Sequence, residues 1–167
     1  MLIRILPLNS HVGYVAQNRD NIVSAMAEAH RDKIRFLITP ECALSGYPPE
    51  DLMLRGSFQT ALQDAIDDIV KKSQDYNVSL ILGAPYYKDG NIYNAALHIE
   101  HGKLHIAALK KHLPDHGVFD DSRIFAKGQQ TFLTDIDGVS FGVMVCEDMW
   151  YPDPSTDLKK LGADALI

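Results

Sequence analysis

The chain has 167 residues, 46% of them hydrophobic, and a formal net charge of −6. That is enough apolar material for one core, while the acidic balance and the lack of any Lys/Arg run longer than two residues exclude the basic footprint that nucleic acid or an anionic membrane requires. The apolar start, MLIRILPL, is too short for a signal peptide or for the roughly 20 residues that span a bilayer, so a cytoplasmic protein is expected.

LIRILPL (2–8) predicts a first strand, and NIVSAMAEAHRD (21–32) a helix with Ile22, Met26 and Ala29 at helical spacing. IRFLIT (34–39) is a continuous apolar run, as expected for a strand covered on both faces. After the proline-rich loop 40–56, Phe58, Leu62, Ala65, Ile66, Ile69 and Val70 form one apolar stripe of a second helix, with Ser57 as its expected cap. VSLILGAPYY (78–87) reads as another strand. Asp89-Gly90, His101-Gly102 and Asp137-Gly138 then mark three hairpin turns between β-rich runs. LGADALI closes the sequence as a helix end at Gly162 followed by the opening of a buried strand, which suggests a fragment. The order of elements predicts a mixed α/β sheet without internal repeats, and the loops 40–50 and 113–118 are expected to line a site.

Three apolar strands each end in a reactive side chain: FLITPE at Glu41, IAALK at Lys110 and VMVC at Cys146. Strand ends of one sheet meet in a crevice, the usual ligand site of open α/β sheets. A carboxylate can take the proton of a thiol, an ammonium can hold an oxyanion, and the thiolate can attack a carbonyl. Each residue alone has a blander reading, as a buried structural cysteine, a loop carboxylate or a surface lysine.

The surrounding segments add to this. TPECALSGYPPEDL (39–52), LKKHLPDHGVFDDSRIF (109–125) and VCEDMWYP (145–152) resemble, in the same order, the three signature segments of the nitrilase, or carbon–nitrogen hydrolase, superfamily. Within it, ALSGYPPEDL, LP-x-x-GVFD-x-x-R-x-F and CEDMW look most like the glutamine amidohydrolase domains of the glutamine-dependent NAD synthetases. PLNSHVGYVAQN resembles a divergent form of their opening, from which Pro7 and Tyr14 depart. Asp115, His116 and Asp121 stand where the family phrase has Asn, Tyr and Glu.

This resemblance implies a nitrilase-type α/β/β/α sandwich with mixed sheets, residues 1–167 forming a C-terminally incomplete carbon–nitrogen hydrolase domain. It implies Glu41 as general base, Lys110 as oxyanion-stabilising cation and Cys146 as nucleophile, with Asp121 as a supporting carboxylate. Tyr47 would line the glutamine pocket and the Glu147 backbone N–H would be a second oxyanion donor. The family spacing of lysine and leucine selects Lys110 over Lys111, because Leu113 follows it by three residues. The implied reaction is hydrolysis of the glutamine side-chain amide through a thioester, with no metal or cofactor. The ammonia would feed a C-terminal synthetase domain that uses ATP and Mg²⁺ to convert deamido-NAD to NAD. No phosphate-binding glycine loop occurs here, so that domain is expected outside this chain, and residues 1–167 alone are expected to be weak or inactive. A homo-oligomer is implied as well. The alternatives are a stand-alone amidase or nitrilase, and a catalytically silent interaction fragment.

Other candidates are discounted. A hairpin would scatter His98, His101 and His105, against a metal site. Cys42 is expected to be a packing residue, and a disulfide to Cys146 is not expected in a cytosolic chain. Glu147 and Asp148 are expected to be solvated or bonded to backbone, and Asp64, Asp67 and Asp68 to form a solvated helix face.

Overall fold

The computed structural model describes residues Met1–Ile167. The elements run β1 (Ile3–Ile5), α1 (Val15–Arg31), β2 (Phe36–Ile38), α2 (Gly56–Lys72), β3 (Ser79–Lys88), β4 (Asn91–Glu100), β5 (Lys103–Leu109), α3 (Asp121–Ile124), β6 (Thr134–Ile136), β7 (Val139–Gly142), α4 (Pro152–Leu161) and β8 (Ala165–Leu166). β1 to β5 form one sheet in sequence order, parallel from β1 to β3 and antiparallel from β3 to β5; β6, β7 and β8 form a second, mixed sheet. No helix is long and apolar enough to cross a membrane.

Four layers follow from side-chain alternation. Leu37, Leu80, Leu82, Leu97 and Ile99 meet Ile22 and Met26 of α1 and Leu62, Ile66 and Ile69 of α2. On the opposite face, Phe36, Ile81, Ala96 and Ala108 meet Ile136, Phe141, Val143 and Val145 from the second sheet or just beyond it. The outer face of β7 packs on α4, where a side chain on Gly142 would run into Leu158. Full burial of one such Leu or Ile contributes about 1.5–3 kcal/mol, so this stacking fixes the two sheets face to face.

The three expected turns all form. Asp89-Gly90, His101-Gly102 and Asp137-Gly138 each place both residues at positive φ, the twist that two-residue hairpins require. Between β4 and β5 the register shifts: Leu97 pairs with Ile106 but Ala96 pairs with Ala108, leaving Ala107 as the extra residue of a bulge.

Several sequence expectations need correction. α1 begins six residues earlier than its apolar spacing indicated, because Asn18 is buried there as a connector: its amide donates to His11 O (2.9 Å) and Leu44 O (3.0 Å). Ser57 does not cap α2; the helix starts at Gly56 after Arg55 and has no side-chain cap. The first strand is confined to Ile3–Ile5, with Ile3 and Ile5 exposed, because β1 is an edge strand on which the second sheet does not lie. The closing strand forms parallel to β7, but Leu166 is exposed instead of buried. Gly162, in the left-handed conformation, ends α4 as expected.

Candidate active site

Each reactive side chain sits where an apolar strand runs out. β2 gives way to a turn carrying Glu41, and this turn lies directly on β3. Gly83 of β3 has no side chain to obstruct Pro40 O, and its N–H donates to Thr39 Oγ1 at 2.9 Å. β5 ends at Leu109, one residue before Lys110, whose N–H donates to Asn94 O at 2.9 Å. Beyond β7, Cys146 opens a single 3₁₀ turn, Cys146–Trp150, at a φ of 46°.

Lys110 is the centre of the arrangement. Its side chain is only 1% exposed, and its Nζ donates to Glu41 Oε1 and to Asp121 Oδ2, both at 2.7 Å. Burial pulls the ammonium pKa down, but hydrogen bonds to the Asp121 and Glu41 carboxylates more than offset this and hold it above the ordinary lysine value. The cation is therefore fixed in its charged form. Asp121, one methylene shorter than the glutamate of the family phrase, reaches Nζ because it starts a short helix, α3, that follows the 113–118 loop. Its other oxygen accepts from Tyr47 OH at 2.9 Å, which ties the loop after β2 to the same network.

Cys146 is exposed and shares a cavity of about 110 Å³ with Glu41, between Ile38, Ile81, Ala96 and Val143. Burial of the thiol group and then the negative charge of Glu41 raise its pKa, against an opposing pull from Lys110. The resting group is thus a thiol with a carboxylate at hand. Glu147 follows in the same turn, its Oε1 3.9 Å from His116 Nε2. The larger concavity, about 760 Å³, lies along the β4–β5 hairpin around His98, His101 and His105 and is remote from these groups.

Lys111 points elsewhere, to Asp157 of α4 at 3.1 Å, as the alternation of neighbouring side chains requires. Cys42 is fully buried, its Sγ 3.5 Å from Asn94 Oδ1, with burial raising its pKa strongly. His98 and His105 pair across the β4–β5 ladder while His101 occupies the turn, and no group of three or more His, Cys, Asp or Glu side chains is arranged to hold a metal ion. Asp64 and Asp67 are exposed, and Asp68 pairs with Lys72 at 3.1 Å.

Asn94 did not stand out in the sequence. It is fully buried, and its Nδ2 donates to Glu41 Oε1 at 2.6 Å, so this one oxygen accepts from both Asn94 and Lys110. The available signal was an amide in the middle of the apolar strand YNAALHI, since a polar group buried in a sheet needs a partner.

The carbon–nitrogen hydrolase family matches residues 3–167. Among curated proteins, the glutamine-dependent NAD(+) synthetase of Aquifex aeolicus is 38% identical over 147 residues, covering 87% of this chain and 25% of that protein. That of Xanthomonas campestris is 34% identical, covering 93% and 28%. The chain therefore spans between a quarter and three tenths of the length of these relatives. Among solved structures, the glutamine-dependent NAD+ synthetase of Acinetobacter baumannii superposes with a TM-score of 0.89 at 28% identity, over 98% of this chain and 31% of that one. An amidase of the nitrilase superfamily from Nesterenkonia AN1 has a TM-score of 0.87 at 20% identity, over 98% and 62%, and shares the fold. With four layers, Glu41 and Lys110 hydrogen-bonded beside a cavity that Glu41 shares with Cys146, and a family match along nearly its whole length, the chain belongs to the carbon–nitrogen hydrolases.

Proposed function

We propose that this chain is the glutamine-hydrolysing part of a glutamine-dependent NAD synthetase. The observation that carries the reading is the buried Lys110 ammonium held by Glu41 and Asp121 beside the cavity that Glu41 shares with Cys146. Cys146 Sγ attacks the side-chain amide carbon of glutamine as Glu41 takes the thiol proton. The Lys110 ammonium, with the Glu147 N–H, holds the oxyanion, a donor of this kind being worth about 3 kcal/mol of barrier. Glu41 returns the proton to the departing nitrogen, ammonia leaves, and a thioester remains. Water, deprotonated by Glu41, then releases glutamate and restores the thiol. Tyr47 and Asp121 keep Lys110 in place, and the step needs no metal because Lys110 supplies the positive charge.

In the longer polypeptide that the relatives' lengths suggest, the ammonia would pass to an ATP- and Mg²⁺-dependent synthetase domain that amidates deamido-NAD. A cytoplasmic homo-oligomer belongs to the same reading. The test is ammonia and glutamate release from glutamine by that full-length polypeptide beside its Cys146→Ala variant, with hydroxylamine added to capture the thioester as a hydroxamate. Release confined to the unmodified protein supports the proposal; equal release from both would refute it. Faster turnover of small aliphatic amides than of glutamine would move the assignment to a stand-alone amidase.

A further inference from the structure

Asp148 is a carboxylate buried to 3% exposure, and the catalytic scheme above does not use it. Its oxygens divide between two distant segments. Oδ1 accepts from Lys111 N at 3.0 Å and from His112 N at 2.9 Å, the two residues after Lys110. Oδ2 accepts from Val145 N at 3.3 Å, the residue before Cys146, while the Asp148 N–H donates to Val145 O at 3.1 Å. Burial raises the carboxyl pKa, and these three N–H groups oppose that rise. Lys111 and His112 have other partners, but these lie at or beside α4: Lys111 reaches Asp157, and His112 bonds Asp153 and stacks on Tyr151 at 3.8 Å.

We propose that Asp148 is a positioning residue whose two oxygens staple the end of the Lys110 strand to the end of the Cys146 strand, setting the distance from thiol to ammonium. Lys110 and Cys146 follow strands of different sheets, which meet here through apolar contacts that hold the sheets face to face but are non-directional, so they do not by themselves set the spacing of the strand ends. A displacement near 1 Å can cost about a hundredfold in rate, so a polar tie at the strand ends supplies what the apolar interface does not. The inference rests on Cys146 being the nucleophile.

The discriminating variant is Asp148→Asn. An amide has one acceptor oxygen, so it can serve Lys111 and His112 or Val145, and not both. It preserves the volume and breaks the staple. Two readouts follow in Asp148→Asn and Asp148→Ala: amide hydrogen exchange at residues 111, 112 and 145, and the pH profile of Cys146 alkylation by iodoacetamide, with Cys146→Ala as blank. The charged groups facing the thiol are Glu41, Lys110 and Glu147. Protection should fall by at least about tenfold at one of the two segments in Asp148→Asn. The alkylation midpoint should fall toward that of a free thiol in both variants, as Cys146 relaxes out of the partly desolvated position and away from the Glu41 charge that together raise it. Protection kept within about tenfold at all three amides, or an unchanged midpoint, overturns the proposal. Should both variants fail to fold, the unmodified protein decides: protection factors of Val145, Lys111 and His112 within about tenfold of one another support a common opening, and a wider spread overturns it. Neither readout requires amide hydrolysis, so absence of ammonia release would sink the proposed function and leave this test intact.

Discussion

Gly83→Ala probes the seating of Glu41 without touching a reactive group. The added methyl would lie 2.0 Å from Pro40 O and 2.9 Å from Pro40 C, whereas ordinary contact begins at 3.4 Å. Backbone on both sides has to give, and β3 and the peptide adjoining Glu41 must separate by about 1.4 Å in total, which moves that peptide by up to the same amount. The Thr39 hydroxyl bond to Gly83 N and the Leu44 N bond to Gly83 O, 2.9 and 3.2 Å, would lengthen with it. Overpacking of this kind costs about 1–3 kcal/mol, which for a domain of this size lowers the melting temperature by roughly 2–12 °C. A shift of that size at Glu41 would also reduce hydrolysis by about a hundredfold. Thermal unfolding by circular dichroism measures the first effect and ammonia release the second. A variant that melts within 1 °C of the unmodified protein and keeps its rate would show that the turn on β3 does not set the position of Glu41.

Further outcomes follow from the network. Glu41→Gln should lower the midpoint of Cys146 alkylation, because Glu41 raises the thiol pKa, while abolishing hydrolysis; an upward shift would contradict the placement. Lys110→Met leaves Glu41 and Asp121 facing one another without their cation and should cost about 3–5 kcal/mol at neutral pH. The sign of its pH dependence is fixed. The raised lysine pKa means its contribution is fully present below the ordinary lysine value and is lost only as pH rises through the higher folded value. The gap to Lys110→Met should therefore persist through neutral pH and narrow only as pH rises past the ordinary lysine value; denaturant melts from about pH 6 to 11 would show it. Asn94→Ala removes one of the two donors to Glu41 Oε1; hydrogen bonds to charged groups are worth about 1.5–3 kcal/mol, and kcat should fall ten- to a hundredfold with KM little changed.

The sequence made the reactive residues easier to identify than their supports. Glu41, Lys110 and Cys146 each announce themselves as a polar side chain ending an apolar strand, and the three turn dipeptides locate the hairpins through backbone chemistry alone. Asn94 and Asp148 are different: an amide inside a strand and an acid after a cysteine have many uses, and only the fold shows what lies opposite. Gly83 carries a signal of its own, since a glycine inside an apolar strand marks a close backbone approach. Ser57 misled because a serine near a helix start is a common cap, but here the capping position falls two residues sooner, at Arg55. Ile3 and Ile5 misled because hydrophobicity indicates what prefers burial and not which strand lies at an edge.

The extra residue at Ala107 has a consequence for the chemistry. Counting pairs outward from the His101-Gly102 turn in strict alternation would set Leu109 against Asn94 and turn the Lys110 ammonium to the other side of the sheet. The bulge advances the strand by one position, so that Lys110 instead comes level with Asn94. A small alanine that pairs with nothing thus acts as a half-turn of the ribbon, and the parity of a single residue decides whether a methyl-branched side chain or a cation meets the carboxylates.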